Sequence, residues 1–246
     1  FGTQKVEDET KKLFPQARIA RLDRDTVKGR ESFESVHRKM NLGEIDILIG
    51  TQMITKGHDF PNVTLVGVVY ADLSLHIPDF RSAERSFQLL TQVAGRAGRG
   101  KVPGLVIIQS LSSGHYVFDF VKEHDFRGFS EKELALREKL KYPPFTRMVS
   151  IKIESEHEQD GEIFANSIHK ALARILNKTN DIEILGPARA SLYQINNRFR
   201  RHLILRSYDY RKLHSVLHRL YETPEIKKFS NSKVKLILDV DPVNLM

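Results

Sequence analysis

Gln92, Gly95, Arg96 and Arg99 recur at i, i+3, i+4 and i+7 within the run T-Q-V-A-G-R-A-G-R-G, residues 91–100. On a helix that spacing is one face, so an amide and two guanidinium groups would point the same way. Ala94, Gly95, Ala97 and Gly98 between them are all small. Glycine inside a helix costs about 1 kcal/mol relative to alanine. Accepted repeatedly beside two arginines, that cost indicates a backbone that must approach another surface closely. Arginine presents a rigid fork of donors suited to phosphate oxygens, so the chemistry expected is phosphate recognition. The plain alternative is a Gly/Ala-rich helix end with two solvated arginines.

A second stretch favours the phosphate reading. Residues 47–60 read I-L-I-G-T-Q-M-I-T-K-G-H-D-F. An apolar strand runs into Gly50 and Thr51, and a polar loop then carries Lys56, Gly57, His58 and Asp59. In open α/β sheets ligands sit at the carboxyl ends of strands, which is where Thr51 falls. A lone histidine such as His58 is more simply a structural hydrogen-bonding group than an acid or base. At the start of the chain, Thr3 reads as an N-cap. Gly2 and Thr3 offer amide and hydroxyl donors at a strand-to-helix corner, the kind of place where phosphates bind.

The elements that must position these residues alternate. Helix is expected to about Leu13, stopping before Pro15. A strand follows at 18–22, a helix through Phe33, Val36 and Met40 ends at Gly43, and a strand lies at 46–49. The most apolar segment, Val63 to Ala71, reads as a central parallel strand with Asp72 at its end. A helix from about Ser82 runs into the arginine motif, and Leu105 to Gln109 gives another strand. Strands alternating with helices imply a parallel sheet with right-handed crossovers. Two helices are expected between Ser113 and about Lys141, broken by Tyr142-Pro143-Pro144-Phe145.

The remainder reads as a small α+β domain in the order βαββαβ, a ferredoxin-like or split arrangement. Its strands are expected at 148–153, 182–185, 190–194, 201–206 and 233–240, with a hairpin around Asn196-Asn197. A helix at 158–177 would turn Ile163, Ile168, Leu172, Ile175 and Leu176 inward, and a second helix runs from Tyr208 to Tyr221. In the hairpin Arg198, Arg200 and Arg201 cluster beside Tyr193 and Phe199. Basic residues with aromatics suit single-stranded nucleic acid by charge and stacking, and equally an acidic peptide. A solvated basic hairpin is the plain alternative. The division expected is 1–111, 112–145 as a helical connector, and 146–246.

Composition agrees with an anionic partner. Of 246 residues, Lys and Arg number 39 against 31 Asp and Glu, a net charge of +8, and a basic balance favours nucleic acid first. There is no cysteine, hence no disulfide framework and no thiolate metal site. No apolar run approaches the roughly 20 residues that span a bilayer, so no membrane partner is expected.

Gln92 to Arg99 matches Q-x-x-G-R-x-G-R, motif VI of superfamily 2 helicases, and residues 47–60 resemble their motif V. The longer wording is more particular. G-T-Q-M-I-T-K-G-H-D-F-P-N-V-T-L-V, D-F-R-S-A-E-R (79–85), K-Y-P-P-F (141–145) and L-D-V-D-P (238–242) resemble the primosomal protein N′ family of PriA-type replication-restart helicases over the whole chain. The resemblance implies an α/β fold: the second RecA-like lobe of a helicase motor, its first strand truncated, followed by a small α+β C-terminal domain. It implies ATP with magnesium bound against a first lobe that this sequence lacks, since no G-x-x-x-x-G-K-[ST] stretch occurs. Zinc would be held only in an upstream part of the parent, and the chain reads as the C-terminal half of a longer, cytoplasmic bacterial protein. Arg99 would be the arginine finger, with Arg96 and Gln92 beside it; Gly57, Asp59, Lys56 and Gly95 would lie near the nucleotide; Thr51, Gly50, Gly2 and Thr3 near the DNA backbone. Residues 79–85 would pack and pair ions within the lobe. Partners implied are DNA forks and single strands, other primosome proteins, and the acidic tail of single-stranded DNA-binding protein. Arg198, with Arg200 and Arg201, would receive that tail, although Arg201-His202 stand where relatives often carry an aromatic and a glutamine. A non-enzymatic fork- and tail-docking module is the second reading. A RecQ- or RecG-type helicase is the third, disfavoured by K-Y-P-P-F and L-D-V-D-P.

Overall fold

The computed structural model describes residues 2–23, 30–55, 60, 62–97, 103–176, 181–229 and 233–246. The chain divides into two compact units, 1–76 with 83–126, and 77–82 with 127–246.

The first unit is built from short parallel pairs and helices. Helix α1 (Thr3–Leu13) leads to β1 (Ile19–Leu22), and α2 (Arg30–Asn41) to β2 (Ile47–Gly50). β1 and β2 pair in parallel, Leu22 opposite Gly50. Gly43, with φ of +69°, ends the connection after α2 in the left-handed conformation glycine tolerates. Ahead of both strands the Arg18 guanidinium grips Asp46 with Nη2 at 2.6 Å and Nε at 2.9 Å. β3 (Leu65–Val68) pairs in parallel with β4 (Leu105–Ile108). Between them lie the short α3 (Asp72–Leu75) and α4 (Ser82–Ala94), and α5 (Tyr116–Lys122) follows β4.

The segment 63–71 differs from the buried central strand expected of it. Only four of its residues pair, and among the described residues only with β4. Leu65, Leu105 and Ile107 are each more than half exposed. The chain leaves the strand through Val69 and Tyr70, the latter at φ 62°, so apolar character here does not extend the ladder.

The second unit holds the larger core. After α6 (Phe126–Lys139) come β5 (Arg147–Ser155), α7 (Glu158–Leu176), β6 (Ile182–Ile195), β7 (Arg198–Ser207), α8 (Tyr210–Tyr221), a short α9 (Pro224–Phe229) and β8 (Val234–Val240). The strands form one antiparallel sheet in the order β6-β7-β5-β8, which is the ferredoxin-like arrangement of a βαββαβ chain. Strand alternation sends Val149, Ile151, Ile153, Leu203 and Leu205 to one face, against Phe164, Ile168 and Leu172 of α7 and Leu213 and Leu220 of α8. Each such fully buried side chain contributes about 1.5–3 kcal/mol relative to exposure. Ile163, expected on the inner face of α7, is 60% exposed; the buried stripe runs through Gly161, Phe164, Ala165, Ile168 and Leu172, and position 163 falls outside it.

The β6–β7 hairpin closes through Asn196 and Asn197, both in the left-handed region, as a two-residue turn with positive φ at both positions requires. β6 is longer than expected because it continues past Gly186-Pro187 through an irregularity in register. Gly186 sits there at φ +97°, and a Cβ on it would lie 2.8 Å from the His202 carbonyl oxygen. Gly186→Ala is expected to destabilise the second unit by about 1–3 kcal/mol, read as a lower urea midpoint; an unchanged midpoint would show that the hairpin relaxes freely.

Candidate functional site

Arg96, the motif VI arginine among the described residues, does not ride on a helix. α4 ends at Ala94, and residues 95–97 form a turn in which Gly95 N–H donates to Thr91 O and Arg96 N–H to Val93 O, each at 3.0 Å. The second bond is the tighter i→i+3 kind that closes a helix end. The expected i, i+3, i+4, i+7 face therefore stops after Gln92. Gln92 and Gly95 lie on the exposed side of α4, opposite Ser86, Phe87, Leu90 and Val93, which are buried. Arg96 is half-buried in the closing turn. A Cβ on Gly95 would lie 3.5 Å from Thr91 O and 3.8 Å from Gln92 O, both ordinary van der Waals contacts. Arg99 lies outside the described residues, as do Lys56, Gly57, His58 and Asp59 of the other motif.

Four expected backbone-contacting residues gather at one edge. β1 and β2 end together, with Leu22 opposite Gly50. A Cβ at position 50 would fall 2.4 Å from the Leu22 carbonyl oxygen and 2.9 Å from Ile54 Cγ2, so this glycine is fixed by the packing of the strand ends. Thr51 follows it, exposed, and accepts at its carbonyl oxygen from Ile54 N–H at 3.2 Å. The start of α1 reaches the same edge, because the Thr3 hydroxyl donates to Asp23 Oδ2 at 2.5 Å. Gly2, not Thr3, is the N-cap of α1. Thr3 stands one position inside, and its hydroxyl is committed to the buried Asp23 carboxylate, which the Arg21 guanidinium also approaches at 3.2 Å. What this edge can offer a phosphate is therefore the exposed Thr51 and the start of a helix, where backbone amides suit an anion, while the Thr3 hydroxyl is already committed.

Asp72, which sequence reasoning left without a role, holds the neighbouring strand ends. It is fully buried and accepts from Ser110 Oγ and Leu111 N–H at 2.8 Å and Ser112 N–H at 2.9 Å, tying the chain after β3 to the chain after β4. The signal available beforehand was an acidic residue closing an apolar run. Burial by itself pushes this carboxyl up, yet the Leu111 amide, the Ser110 hydroxyl and the Ser112 amide hold it down at about 2.

The hairpin arginines do not form one cluster. Arg198 and Arg200 occupy alternate positions of β7 and share a face; Arg201 points to the other. Arg201 Nη2 bonds Glu162 Oε2 of α7 at 2.7 Å and is 11% exposed. Arg200 Nε lies 3.3 Å from Glu154, and Arg198 Nη2 lies 3.2 Å from Glu156. Arg198 is the most open of the three, at 35% exposed, and an exposed pair of this kind is worth about 0–1 kcal/mol. Arg189 sits over the Tyr193 ring at 4.7 Å, with Phe199 at 5.6 Å. His202 follows Arg201 with its charged form disfavoured by burial, then by Lys152 and Arg200. Among the described residues no group of three His, Cys, Asp or Glu is placed to hold a metal, and no helix is long and apolar enough to cross a membrane.

Comparison with known proteins bears on both units. Residues 2–101 match the helicase conserved C-terminal domain, and residues 138–243 match the primosomal protein N C-terminal domain. The chain is similar to the replication restart protein PriA of Bacillus subtilis strain 168, 40% identical over 245 residues, covering 100% of this chain and 30% of that protein. Its counterpart in Synechocystis is 42% identical over 244 residues, covering 99% and 28%; that of Borreliella burgdorferi is 36% identical over 246 residues, covering 100% and 36%. The chain thus spans about a third of the length of the curated relatives it matches.

A carboxyl held at about 2 in the fold, against an ordinary 3.8, takes up its proton more readily in the open chain. Its stabilisation is complete above about pH 4 and is lost as the pH falls toward 2. Urea midpoints measured by circular dichroism are expected to fall between about pH 4 and about pH 2, and Asp72→Asn is expected to start lower and lose part of that slope.

Proposed function

We propose that this chain, similar over its whole length to PriA replication restart proteins, supplies the second motor lobe and the C-terminal domain of an ATP-dependent DNA helicase of that family, which recognises stalled or abandoned forks and restarts replication through primosome assembly. The observation that supports this most directly is the exposed side of α4. Its buried side is fixed by Phe87, Leu90 and Val93, so Gln92 is presented on a supported helix, with Gly95 exposed just beyond its end.

In this reading the nucleotide lies between α4's exposed side and a first lobe carried elsewhere in the parent. ATP with magnesium supplies the transferable phosphoryl group. Arg99 is the arginine finger on the γ-phosphate, a role worth roughly 10³ to 10⁵ in rate in other nucleotide hydrolases. Arg96 makes a second phosphate contact, and Gln92 orients water or links to the finger. Lys56 pairs with a phosphate, Gly57 and Gly95 allow close approach, and the Asp59 carboxylate accepts from a ribose hydroxyl. Thr51 and the amides around Gly50, Gly2 and Thr3 grip the DNA backbone. Loss of the γ-phosphate charge removes the bridge between the lobes, after which the edge of β1 and β2 regrips one step along. Zinc belongs to the upstream part of the parent, and the cell compartment is the cytoplasm.

The second reading, a docking module for forks and for the acidic tail of single-stranded DNA-binding protein, draws on Arg198. Its pairing with Glu156 is exposed enough that an incoming carboxylate can displace it, whereas Arg201 is held against α7.

In the full-length parent, Arg99→Ala is expected to abolish ATP hydrolysis and spare DNA binding; near-normal DNA-stimulated turnover would sink the finger assignment. The 246-residue chain by itself is expected to hydrolyse nothing, and turnover by it would overturn the account. For the hairpin, fluorescence anisotropy with forked DNA and with an acidic tail peptide separates the readings. Loss of peptide binding in Arg198→Ala supports docking. Binding of DNA alone, falling steeply with salt, makes the hairpin a nucleic-acid surface.

A further inference from the structure

Residues 233–241 of the second unit read K-V-K-L-I-L-D-V-D. The run mirrors itself about Ile237. Leucine answers leucine, valine answers valine, and the lysines at 235 and 233 answer the aspartates at 239 and 241. It consists of β8 (Val234–Val240) with one residue on either side.

β8 is an edge strand. It lies last in the order β6-β7-β5-β8 and pairs with β5, and among the described residues no strand pairs with its other side. The ladder decides which backbone groups face that side. Asp241 N–H donates to Met148 O at 2.9 Å, and antiparallel pairs alternate between bonded and non-bonded. Lys235, Ile237 and Asp239 therefore turn their N–H and C=O groups to β5, opposite Glu154, Lys152 and Ser150. Val234, Leu236, Leu238 and Val240 turn theirs to the open side. A row of donors and acceptors of this kind is a template for a further strand. Bulges and prolines ordinarily blunt such an edge. The register of β8 on β5 is unbroken over Val234–Val240, and proline comes only at 242. Edge charges also keep strange strands away, but here they have opposite signs at mirrored positions, so they select a strand with the same arrangement.

That strand is a second copy of β8. Placed antiparallel about Ile237, Leu236 meets Leu238 of the second copy and Val234 meets Val240, so the outward backbone groups of one strand meet those of the other. Lys235 then stands opposite Asp239 of the second copy, and by symmetry Asp239 opposite its Lys235. Both pairs fall at non-bonded positions, where side chains come closest. Lys233 stands opposite Asp241 in the same way. Lys235 and Asp239 lie on the face of the sheet turned away from the apolar core. Lys235 is exposed, and the Asp239 side chain is 41% exposed with Lys152 Nζ at 3.8 Å. A slide of the two strands by two residues keeps only half of the lysine–aspartate pairs. Parallel pairing in register sets lysine against lysine, which is destabilising. Charge thus specifies one direction and one register, and a two-fold pairing consumes this edge in a closed dimer.

We propose that β8 is a dimerisation edge, through which two copies of this chain pair antiparallel about Ile237 and join their C-terminal sheets into one. The pairing needs nothing from the first unit and does not rest on the helicase reading.

Sedimentation equilibrium of the 246-residue chain tests it, with wild type, Lys235→Glu, Asp239→Lys and an equal mixture of the two variants. Wild type is expected to dimerise reversibly. Each variant by itself is expected to associate about tenfold more weakly or worse, because like charges then face each other on both sides of the two-fold axis. The mixture is expected to regain the wild-type association, since the two introduced charges face one another, and a folding defect would not be repaired by mixing. Val240→Pro provides a variant with every charge kept: it removes an outward N–H without removing a bond to β5, and is expected to weaken the dimer with an unchanged urea midpoint for the dilute chain. In wild type, raising the concentration is expected to slow hydrogen exchange first at the amides of Leu236 and Leu238, which β5 does not hold. A wild-type chain that stays monomeric up to about 100 μM overturns the proposal. So does a dimer that survives both charge variants and Val240→Pro, and so does a mixture that associates no better than its components.

Discussion

β5 is the strand the second unit cannot do without, because it is buried on both faces. Met148, Val149, Ser150, Ile151 and Ile153 are each at most 1% exposed, and the strand is paired on both edges, to β7 and to β8. Such a strand cannot slip its register by one residue without exchanging its apolar and polar sets between faces. That restriction passes to its neighbours. It fixes which side chains of β7 meet α7 and which do not, and so sends Arg201 to Glu162 while Arg198 and Arg200 go to Glu156 and Glu154. The basic character of the hairpin is a property of two surfaces, with the more open arginine on the side away from α7.

In the first unit the organising groups are carboxylates rather than a deep core. Its strands are four residues long and partly exposed. Asp23 receives the start of α1, Asp72 receives the chain after β4, and Asp46 receives Arg18 ahead of both β1 and β2. Each accepts at a strand end, and Asp72 and Asp46 there take backbone amides that would otherwise lack partners. For Asp46 the Arg18 bonds hold the carboxyl at about 2, so the ionised form is the one that works. Polar clamps of this kind define where chain segments meet without demanding a large buried area.

Local pattern carried much of this arrangement into the sequence. The helices over 3–13, 158–176 and 210–221 follow from apolar spacing and breakers, and the hairpin turn follows from Asn196-Asn197. The α/β class and the order βαββαβ follow from the alternation of those elements. What local pattern could not supply were pairings across long separations. Nothing around Arg201 names Glu162, nothing around Thr3 names Asp23, and nothing around Arg81 names Pro242, to whose carbonyl oxygen it donates. Helix ends failed for a related reason. The i, i+3, i+4, i+7 spacing of Gln92 to Arg99 is compatible with a helix, but α4 ends directly before Gly95, where a glycine weakens continuation.

That early ending changes how the arginine motif works. Ala94 is the last helical residue, so Arg96 lies just beyond the carboxyl end of α4, where the helix carries partial negative charge and favours a cation. A side chain on a helix face has its direction fixed by the helix axis. One on the closing turn is placed by the bonds that end the helix, here Gly95 N–H to Thr91 O and Arg96 N–H to Val93 O. Support for the helix comes from Phe87, Leu90 and Val93 on its buried side, and the turn at 95–97 closes its carboxyl end.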